Sequence, residues 1–402
     1  PKMNTIETLR FVKEHVHDDV HALALQSDKY PDVDMPTVLT QIEGRQTAKI
    51  KLPSWYQTDG ILYPPHLSME QCSSEQTARY KASLLKGNTL VDLTGGFGVD
   101  FSFMARRFRQ ATYVERQTHL VELAEHNFKT LGLTDKITAV ASDGVDYLYQ
   151  MPPVDVLYLD PSRRDRRGGK VVAMNDCEPN ISTLEPLLTK KAKTTLVKLS
   201  PMFDISLAMK ALKHISAIHI VAVNNECKEL LLVLEKGVRF AYAQIPIRCV
   251  NLTKEGIQSL AFTEQEEQAA NCPYARAMSR YLYEPNAALM KGGAYKLLAQ
   301  RYAVRKLHAN SHLYTSSAHV PDFPGRKFEV EAVSDFGKKA LKHFLKDTDR
   351  ANVTIRNFPT SVVDLRRKLK LKEGGDIYLF ATTLSTEEKV LIKAIPVADG
   401  RS

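Results

Sequence analysis

A chain of 402 residues, 44% hydrophobic and 25% charged, is long enough for two or three domains, each with its own core. No apolar run approaches the ~20 residues of a membrane helix, and Pro1-Lys2-Met3-Asn4 lacks the basic-then-apolar layout of a signal peptide, so no membrane partner is expected. The net charge of +9 points to a polyanionic partner, and residues 301–402 hold 19 Lys and Arg against 12 Asp and Glu; a solvated basic surface is the competing explanation.

The five cysteines (Cys72, Cys177, Cys227, Cys249, Cys272) are scattered and form no CxxC, and the twelve histidines show no ligand-like clustering. Neither a disulfide framework nor a metal site is favoured, and reduced thiols in a cytoplasmic protein are the expectation.

Residues 5–15 and 35–46 carry apolar side chains at three- and four-residue spacing, which predicts a helical N-terminal module over residues 1–60. Leu52-Pro53-Ser54-Trp55 and Tyr63-Pro64-Pro65 mark irregular connections. Residues 70–85 resume the helical pattern, with Ser73 or Ser74 as cap. From Thr89 strands (89–93, 111–115, 137–141, 155–160, 194–199) alternate with helices (100–108, 119–131, 143–149, 182–189, 206–213). That alternation predicts a parallel, doubly wound α/β sheet. Residues 229–235 and 238–245, joined by Lys236-Gly237, predict a hairpin that places an antiparallel strand at its edge.

Residues 247–324 form a mixed connecting region, with its clearest helix over 292–302 and an exposed acidic stretch over 263–268. Pro321-Asp322-Phe323-Pro324-Gly325 marks a boundary. Beyond it strands (328–332, 352–357, 376–382, 389–395) and helices (336–345, 361–369) predict a small α+β module over 325–402.

Val91-Asp92-Leu93-Thr94-Gly95-Gly96-Phe97-Gly98-Val99-Asp100 runs an apolar strand into a glycine turn that opens a helix. Glycine permits positive φ and close approach of backbone to ligand, and the helix start adds unpaired amides. A dinucleotide fingerprint wants a third small residue, but Gly98 is followed by Val99, Asp100 and Phe101. The turn begins instead with an acid, Asp92, which suits a cationic amine better than a pyrophosphate. S-adenosylmethionine carries an ammonium, a sulfonium and no phosphate; NAD is the weaker reading. Glu115, at the end of the second strand, can accept from both ribose hydroxyls; a surface acid at a strand end is the alternative. Asp143-Gly144 follows the third strand, where Asp143 can receive the adenine amino group, cap a helix, or do both.

These residues, with Leu67-Ser68-Met69-Glu70-Gln71-Cys72-Ser73-Ser74-Glu75-Gln76-Thr77-Ala78, Asp160-Pro161-Ser162-Arg163-Arg164 and Phe358-Pro359-Thr360-Ser361-Val362-Val363-Asp364-Leu365-Arg366-Arg367-Lys368-Leu369, resemble the class I S-adenosylmethionine-dependent methyltransferases. More narrowly, they resemble the bacterial group that carries a C-terminal THUMP-like module. The resemblance implies a Rossmann-like seven-stranded domain over 61–246, a ferredoxin-like character for 247–324 and a THUMP-like domain over 325–402. It also implies that Thr94, Gly95, Gly96, Phe97 and Gly98 surround the cofactor. In such enzymes the segment before the first strand closes over the methionine end, which makes Ser74, Glu75 and Thr77 candidate contacts; a plain helix cap explains Ser74 and Thr77 as well.

The fourth strand delivers Asp160 to the carboxyl edge of the sheet, where open α/β sheets place ligands. Pro161 stiffens the turn and removes a donor. A carboxylate and a backbone carbonyl can accept the two N–H bonds of an exocyclic amine and aim its lone pair. Asp160-Pro161 resembles the acid/amide-proline loop of amino-group methyltransferases, with Arg163 where an aromatic usually stands. A guanidinium there can stack or grip a phosphate. Asp-Pro-x-Arg also resembles the loop of uracil-C5 RNA methyltransferases, but Leu199-Ser200-Pro201 lacks their nucleophilic cysteine, which disfavours covalent catalysis.

Arg163, Arg164, Arg166, Arg167 and Lys170 form a cationic loop suited to nucleic-acid phosphates, and a solvated loop is the competing reading. Arg366, Arg367 and Lys368 form a second basic patch on a helix whose Leu365 and Leu369 face inward. The expectation is an S-adenosylmethionine-dependent methyltransferase acting on a base amino group of structured RNA, rRNA or tRNA. A methyltransferase for a protein or small molecule, and a non-catalytic RNA-binding protein, are the alternatives.

Overall fold

The computed structural model describes residues 5–163 and 174–398. The chain divides into two compact units, Pro1–Ser216 with Leu231–Arg239, and Ala217–Leu230 with Phe240–Ser402.

The first unit opens with helices α1 (Thr5–Glu14), α2 (Val20–Ala24), α3 (Met35–Lys51), α4 (Pro53–Tyr56), α5 (His66–Gln71) and α6 (Glu75–Ser83). Phe11, Val12, Leu23, Met35, Val38 and Ile42 form a core among them, because apolar residues three and four apart share one helical face. Trp55 is fully buried and meets Phe97 edge-on at 5.1 Å between ring centroids, which seats the glycine turn on the helical module.

Strands and helices then alternate: β1 (Thr89–Asp92), α7 (Val99–Ala105), β2 (Gln110–Glu115), α8 (Thr118–Thr130), β3 (Ile137–Ala141), α9 (Gly144–Gln150) and β4 (Val154–Leu159). Two-residue strands β5 (Ser162–Arg163) and β6 (Cys177–Glu178) precede α10 (Ile181–Lys191), β7 (Ala192–Leu199) and α11 (Ile205–Ala211). β1 pairs in parallel with β2 and β4, β2 with β3, and β4 with β7. Four successive residues of β4, Val156 to Leu159, are buried, as a strand covered by helices on both faces requires.

The antiparallel hairpin forms elsewhere than at Lys236-Gly237. It joins β8 (Ile215–Val223) to β9 (Glu226–Glu235) through Asn224-Asn225, both left-handed with φ of 48° and 65°. Asparagine tolerates this conformation, and two such residues match the twist of the flanking strands. Residues 238–245 hold a short 3-10 turn, Tyr242–Gln244, in place of a strand. β10 (Ile247–Thr253) and β11 (Gly256–Phe262) follow, also unforeseen. The order is β11-β10-β8-β9-β7-β4-β1-β2-β3, of which the seven strands from β3 to β8 are the expected Rossmann-like sheet.

The rest of the second unit contains α12 (Glu264–Ala269), β12 (Tyr281–Pro285), α13 (Ala287–Gly292), α14 (Tyr295–Tyr302), β13 (Arg305–Lys306), β14 (Tyr314–Ser316), β15 (Gly325–Ser334), α15 (Lys338–Phe344), β16 (Asn352–Arg356), α16 (Val362–Leu369), β17 (Tyr378–Thr383) and β18 (Lys389–Pro396). The helix expected over 292–302 is broken by Gly293, which caps α13 at φ 79°. The acidic stretch at 263–268 is the start of α12, closed by a capping box between Thr263 and Glu266.

A seven-stranded sheet in the order β13-β14-β12-β15-β18-β17-β16 runs through this region. Alternate residues feed two cores. Leu379, Ala381 and Leu391 pack with Phe344 and Leu365, while Phe380, Ile392 and Ala394 pack with Leu282 and Phe328.

Candidate active site

The glycine turn is shaped by what its neighbours leave no room for. A Cβ on Gly95 would lie 2.2 Å from the Tyr113 ring, and one on Gly98 2.9 Å from Phe128. Gly96 and Gly98 also take φ of 56° and 88°, where glycine carries no penalty. The Gly95 N–H donates to the Val114 carbonyl at 2.8 Å, and the Tyr113 hydroxyl donates to the Gly96 carbonyl.

At the carboxyl ends of the parallel strands lies a cleft of about 210 Å³. Its polar lining includes Thr94, Glu115, Asp143 and Asp160, and its apolar lining Leu93, Val145, Leu148, Leu159 and Leu184. Arg116, Gln117, Gly144, Ser162, Glu178 and Pro179 complete the wall. Five predicted positions, Thr94, Glu115, the adjacent Asp143 and Gly144, and Asp160, therefore meet at one site from four places in the chain.

Each is held by its backbone context. Glu115 is buried and accepts from the Gly96 N–H at 3.0 Å and the Gln117 N–H at 2.7 Å, leaving each oxygen a further lone pair. Asp143 caps α9, accepting from the Asp146 N–H at 3.0 Å, so the cap and the cleft wall are one residue. A Cβ on Gly144 would fall 2.2 Å from the Leu93 carbonyl oxygen, so α9 can approach β1 this closely only with glycine. The Asp160 N–H donates to Thr94 Oγ1 at 2.7 Å, and Lys198 Nζ donates to Asp160 Oδ2 at 3.3 Å.

Other predicted positions stand behind the cleft rather than on its lining. Asp92, 1% exposed, accepts from the Thr94 N–H at 2.9 Å. Burial pushes its carboxyl well above the usual range, against that hydrogen bond, and the charges of Asp100, Asp160 and Glu115 add to the effect. Phe97 packs on Trp55 and Tyr63. Ser74 and Thr77 are engaged with each other as the start of α6: the Thr77 N–H donates to Ser74 Oγ at 3.2 Å. The Glu75 carboxylate is engaged within the protein. Its Oε1 accepts from the Ser54 N–H and hydroxyl at 2.9 and 2.6 Å, and its Oε2 from Arg79, because it ties α4 to α6.

Pro161 is buried beside Asp160. The Arg163 side chain and Arg164, Arg166 and Arg167 lie outside the described residues. Arg366 is half-buried, and Arg367 and Lys368 are exposed on α16, anchored through Leu365.

A buried ion network missed in the sequence underlies the site. Lys81, 0% exposed, lies 2.8 Å from Asp100 Oδ1 and donates to Ser73 Oγ at 2.7 Å. The Tyr158 hydroxyl donates to Asp100 Oδ2 at 2.5 Å. Burial alone would raise the Asp100 carboxyl; the Lys81 and Lys198 ammoniums and these hydrogen bonds hold it below the usual range instead. Asp100, an acid within the apolar run Val99-Asp100-Phe101-Ser102-Phe103-Met104, gave a signal in the sequence; Lys81, in a charged helix, gave none.

A solved structure matches nearly the full length of the chain. The crystal structure of a "putative methyltransferase" from Porphyromonas gingivalis W83 is 34% identical over 99% of this chain and 100% of that one, with a TM-score of 0.87. A THUMP domain-like family model matches residues 325–394, and a ferredoxin-like domain model matches 281–324. The chain belongs to the class I S-adenosylmethionine-dependent methyltransferases with a C-terminal THUMP-like domain.

Two further solved structures resemble the methyltransferase over part of its length. TrmK of M. capricolum, in complex with S-adenosyl-homocysteine, is 11% identical over 42% of this chain and 73% of that one, with a TM-score of 0.32. A SAM-dependent O-methyltransferase from Thermotoga maritima is 16% identical over 45% and 74%, with a TM-score of 0.31. No curated protein matches the sequence.

The cofactor of the methyltransferase is S-adenosylmethionine. Carboxylates at Glu115, Asp143 and Asp160 between apolar walls fit a cationic, phosphate-free adenosine compound. Among the described residues, no group of three or more His, Cys, Asp or Glu side chains is disposed to hold a metal ion, and no helix is long and apolar enough to cross a membrane.

Proposed function

We propose that the methyltransferase modifies an exocyclic amino group of a base in structured RNA, rRNA or tRNA. The observation that carries this reading is Asp160: its carboxylate lines the cofactor cleft, half-exposed, beside the rigid Pro161. S-adenosylmethionine, when bound, supplies a methyl group on a sulfonium, and its displacement leaves a neutral thioether. Asp160 and the Pro161 carbonyl accept the two N–H bonds of the amine and direct its lone pair at the methyl carbon. Asp160 Oδ1 would take the one proton that the amine sheds on methylation.

The acceptor class is supported by the second unit. Its THUMP-like match and the cations Arg366, Arg367 and Lys368 on α16 suit a polyanion. The loop cations Arg163, Arg164, Arg166 and Arg167 belong to the same proposal as phosphate contacts near the cleft.

The test is mass mapping of RNA modifications in cells with and without the protein, complemented by wild type or Asp160→Ala. One methylated base should vanish with the gene and return only with the wild type. Purified Asp160→Ala should bind S-adenosylmethionine within several-fold of wild type. Loss of cofactor binding in step with transfer would make Asp160 a cofactor ligand and refute its assigned role.

A further inference from the structure

Lys198 has no place in the chemistry described so far, yet it stands against one carboxylate of the site and near a second. It lies near the end of β7 in the run Leu196-Val197-Lys198-Leu199, whose other three members are buried. The parallel register pairs Leu159 with Val197, so the next step sets Lys198 beside Asp160. Its side chain is 14% exposed and its Nζ is 3.3 Å from Asp160 Oδ2.

The same ammonium lies close enough to Asp100 to help hold that carboxyl in its charged form. Asp100 is itself fixed by Lys81 and by Tyr158, two residues before Asp160 on the same strand. A largely desolvated lysine in such a pair gives little net stability, because desolvation offsets the attraction. What the arrangement does achieve is geometric. An Asp160 carboxylate free to rotate would present either oxygen to the substrate; one bonded through Oδ2 has a fixed plane.

We propose that Lys198 is a positioning residue for methyl transfer: it fixes the Asp160 carboxylate through Oδ2 and reserves Oδ1 for the N–H of the attacking amine. This rests on the amino-group reading given above. Lys198 touches neither the methyl group nor the base, and its effect passes entirely through Asp160.

The test uses the full chain, tritiated S-adenosylmethionine, and total RNA from cells lacking the protein as methyl acceptor. Lys198→Met should lower kcat by about 100-fold, the scale set by an ångström of misplacement, while KM for RNA and the cofactor Kd stay within about threefold. Lys198→Arg should recover most of the loss. In an Asp160→Asn background, where no carboxylate is left to hold, Lys198→Met should change kcat by less than about threefold.

If Lys198→Met fails to fold, as judged by its melting temperature, Lys198→Gln carries the same expectation with a shorter neutral donor. A kcat within about threefold of wild type in the single variant, or its full loss repeated in the Asp160→Asn background, overturns the proposal. Asp160→Ala runs alongside. Wild-type transfer by that variant sinks the amino-group reading itself, whereas an inactive Asp160→Ala beside an undamaged Lys198→Met sinks only the role of Lys198.

Discussion

Gly144→Ala tests whether the cleft depends on the closest backbone approach in the site. The added Cβ would meet the Leu93 carbonyl oxygen at 2.2 Å and the Leu93 carbonyl carbon at 3.2 Å. A carbon and a carbonyl oxygen need about 3.3 Å, so the start of α9 and the end of β1 must separate by about 1 Å. Both atoms at the tightest points belong to backbone, so no side-chain rotation relieves the clash. Gly144 does not use a left-handed φ, so alanine carries no conformational penalty there and the effect is steric alone.

Overpacking of this kind costs about 1–3 kcal/mol, or a melting temperature lower by roughly 3–10 °C in a unit of this size. Leu93, Thr94, Asp143 and Gly144 all line the cofactor cleft, so the same displacement moves its two walls apart. Calorimetric titration with S-adenosylmethionine should show Kd raised about 10- to 100-fold, equivalent to about 1.4–2.8 kcal/mol. Gly96→Ala is the contrasting control. Gly96 has φ of 56° and no atom within 3.7 Å of the added Cβ, so alanine there should cost about 1 kcal/mol through conformation without crowding. Unchanged melting and a Kd within about twofold for Gly144→Ala would refute the steric argument.

Asp92, raised well above 3.8 by burial, holds a proton where an exposed aspartate would not. A cation in the cleft in front of it favours the charged form through the field, so cofactor binding should release a proton and affinity should rise with pH through the raised pKa, then level off. Calorimetry in buffers of different ionisation enthalpy reads that proton, and binding with no proton released would count against the assignment. In the ligand-free protein the folded state binds the extra proton, so stability from this group is present below the unfolded value and falls as pH rises through the folded one; Asp92→Asn should remove the slope. Lys81→Met should destabilise the protein by about 3–5 kcal/mol in urea titrations, since it strands the buried Asp100 carboxylate; a loss under about 1 kcal/mol would show the network to be dispensable. Replacing Arg366, Arg367 and Lys368 together by alanine should reduce the salt slope of RNA binding by about 2 with little change in melting, and an unaltered slope would remove α16 from the interface.

The alternation of strands and helices from Thr89 onward was legible because the central strands, such as β1 and β4, hold runs of buried apolar residues, and a helix such as α8 buries Val121, Ala124 and Phe128 on one face. The glycine turn was legible for a similar reason: Gly96 and Gly98 meet local demands of backbone conformation that a sequence displays directly. Where two segments compete for one role, that advantage ends. Lys236-Gly237 looked the better hairpin turn, yet Asn224-Asn225 makes it, because β8 and β9 offer longer apolar partners to each other. The Glu75 carboxylate looked available, but the helix turn at Ser54 claims it.

The sequence by itself determined the Rossmann-like class, the cofactor and the acid that follows β4, since each rests on local patterns of strand, turn and helix that recur in chain order. Only the tertiary structure decided which groups face one another: that Gly144 lies against Leu93, that Lys81 is buried with Asp100, and that Lys198 stands beside Asp160. The last depends on β7 being the neighbour of β4 in a given register, and a parallel register is set by packing between strands far apart in sequence.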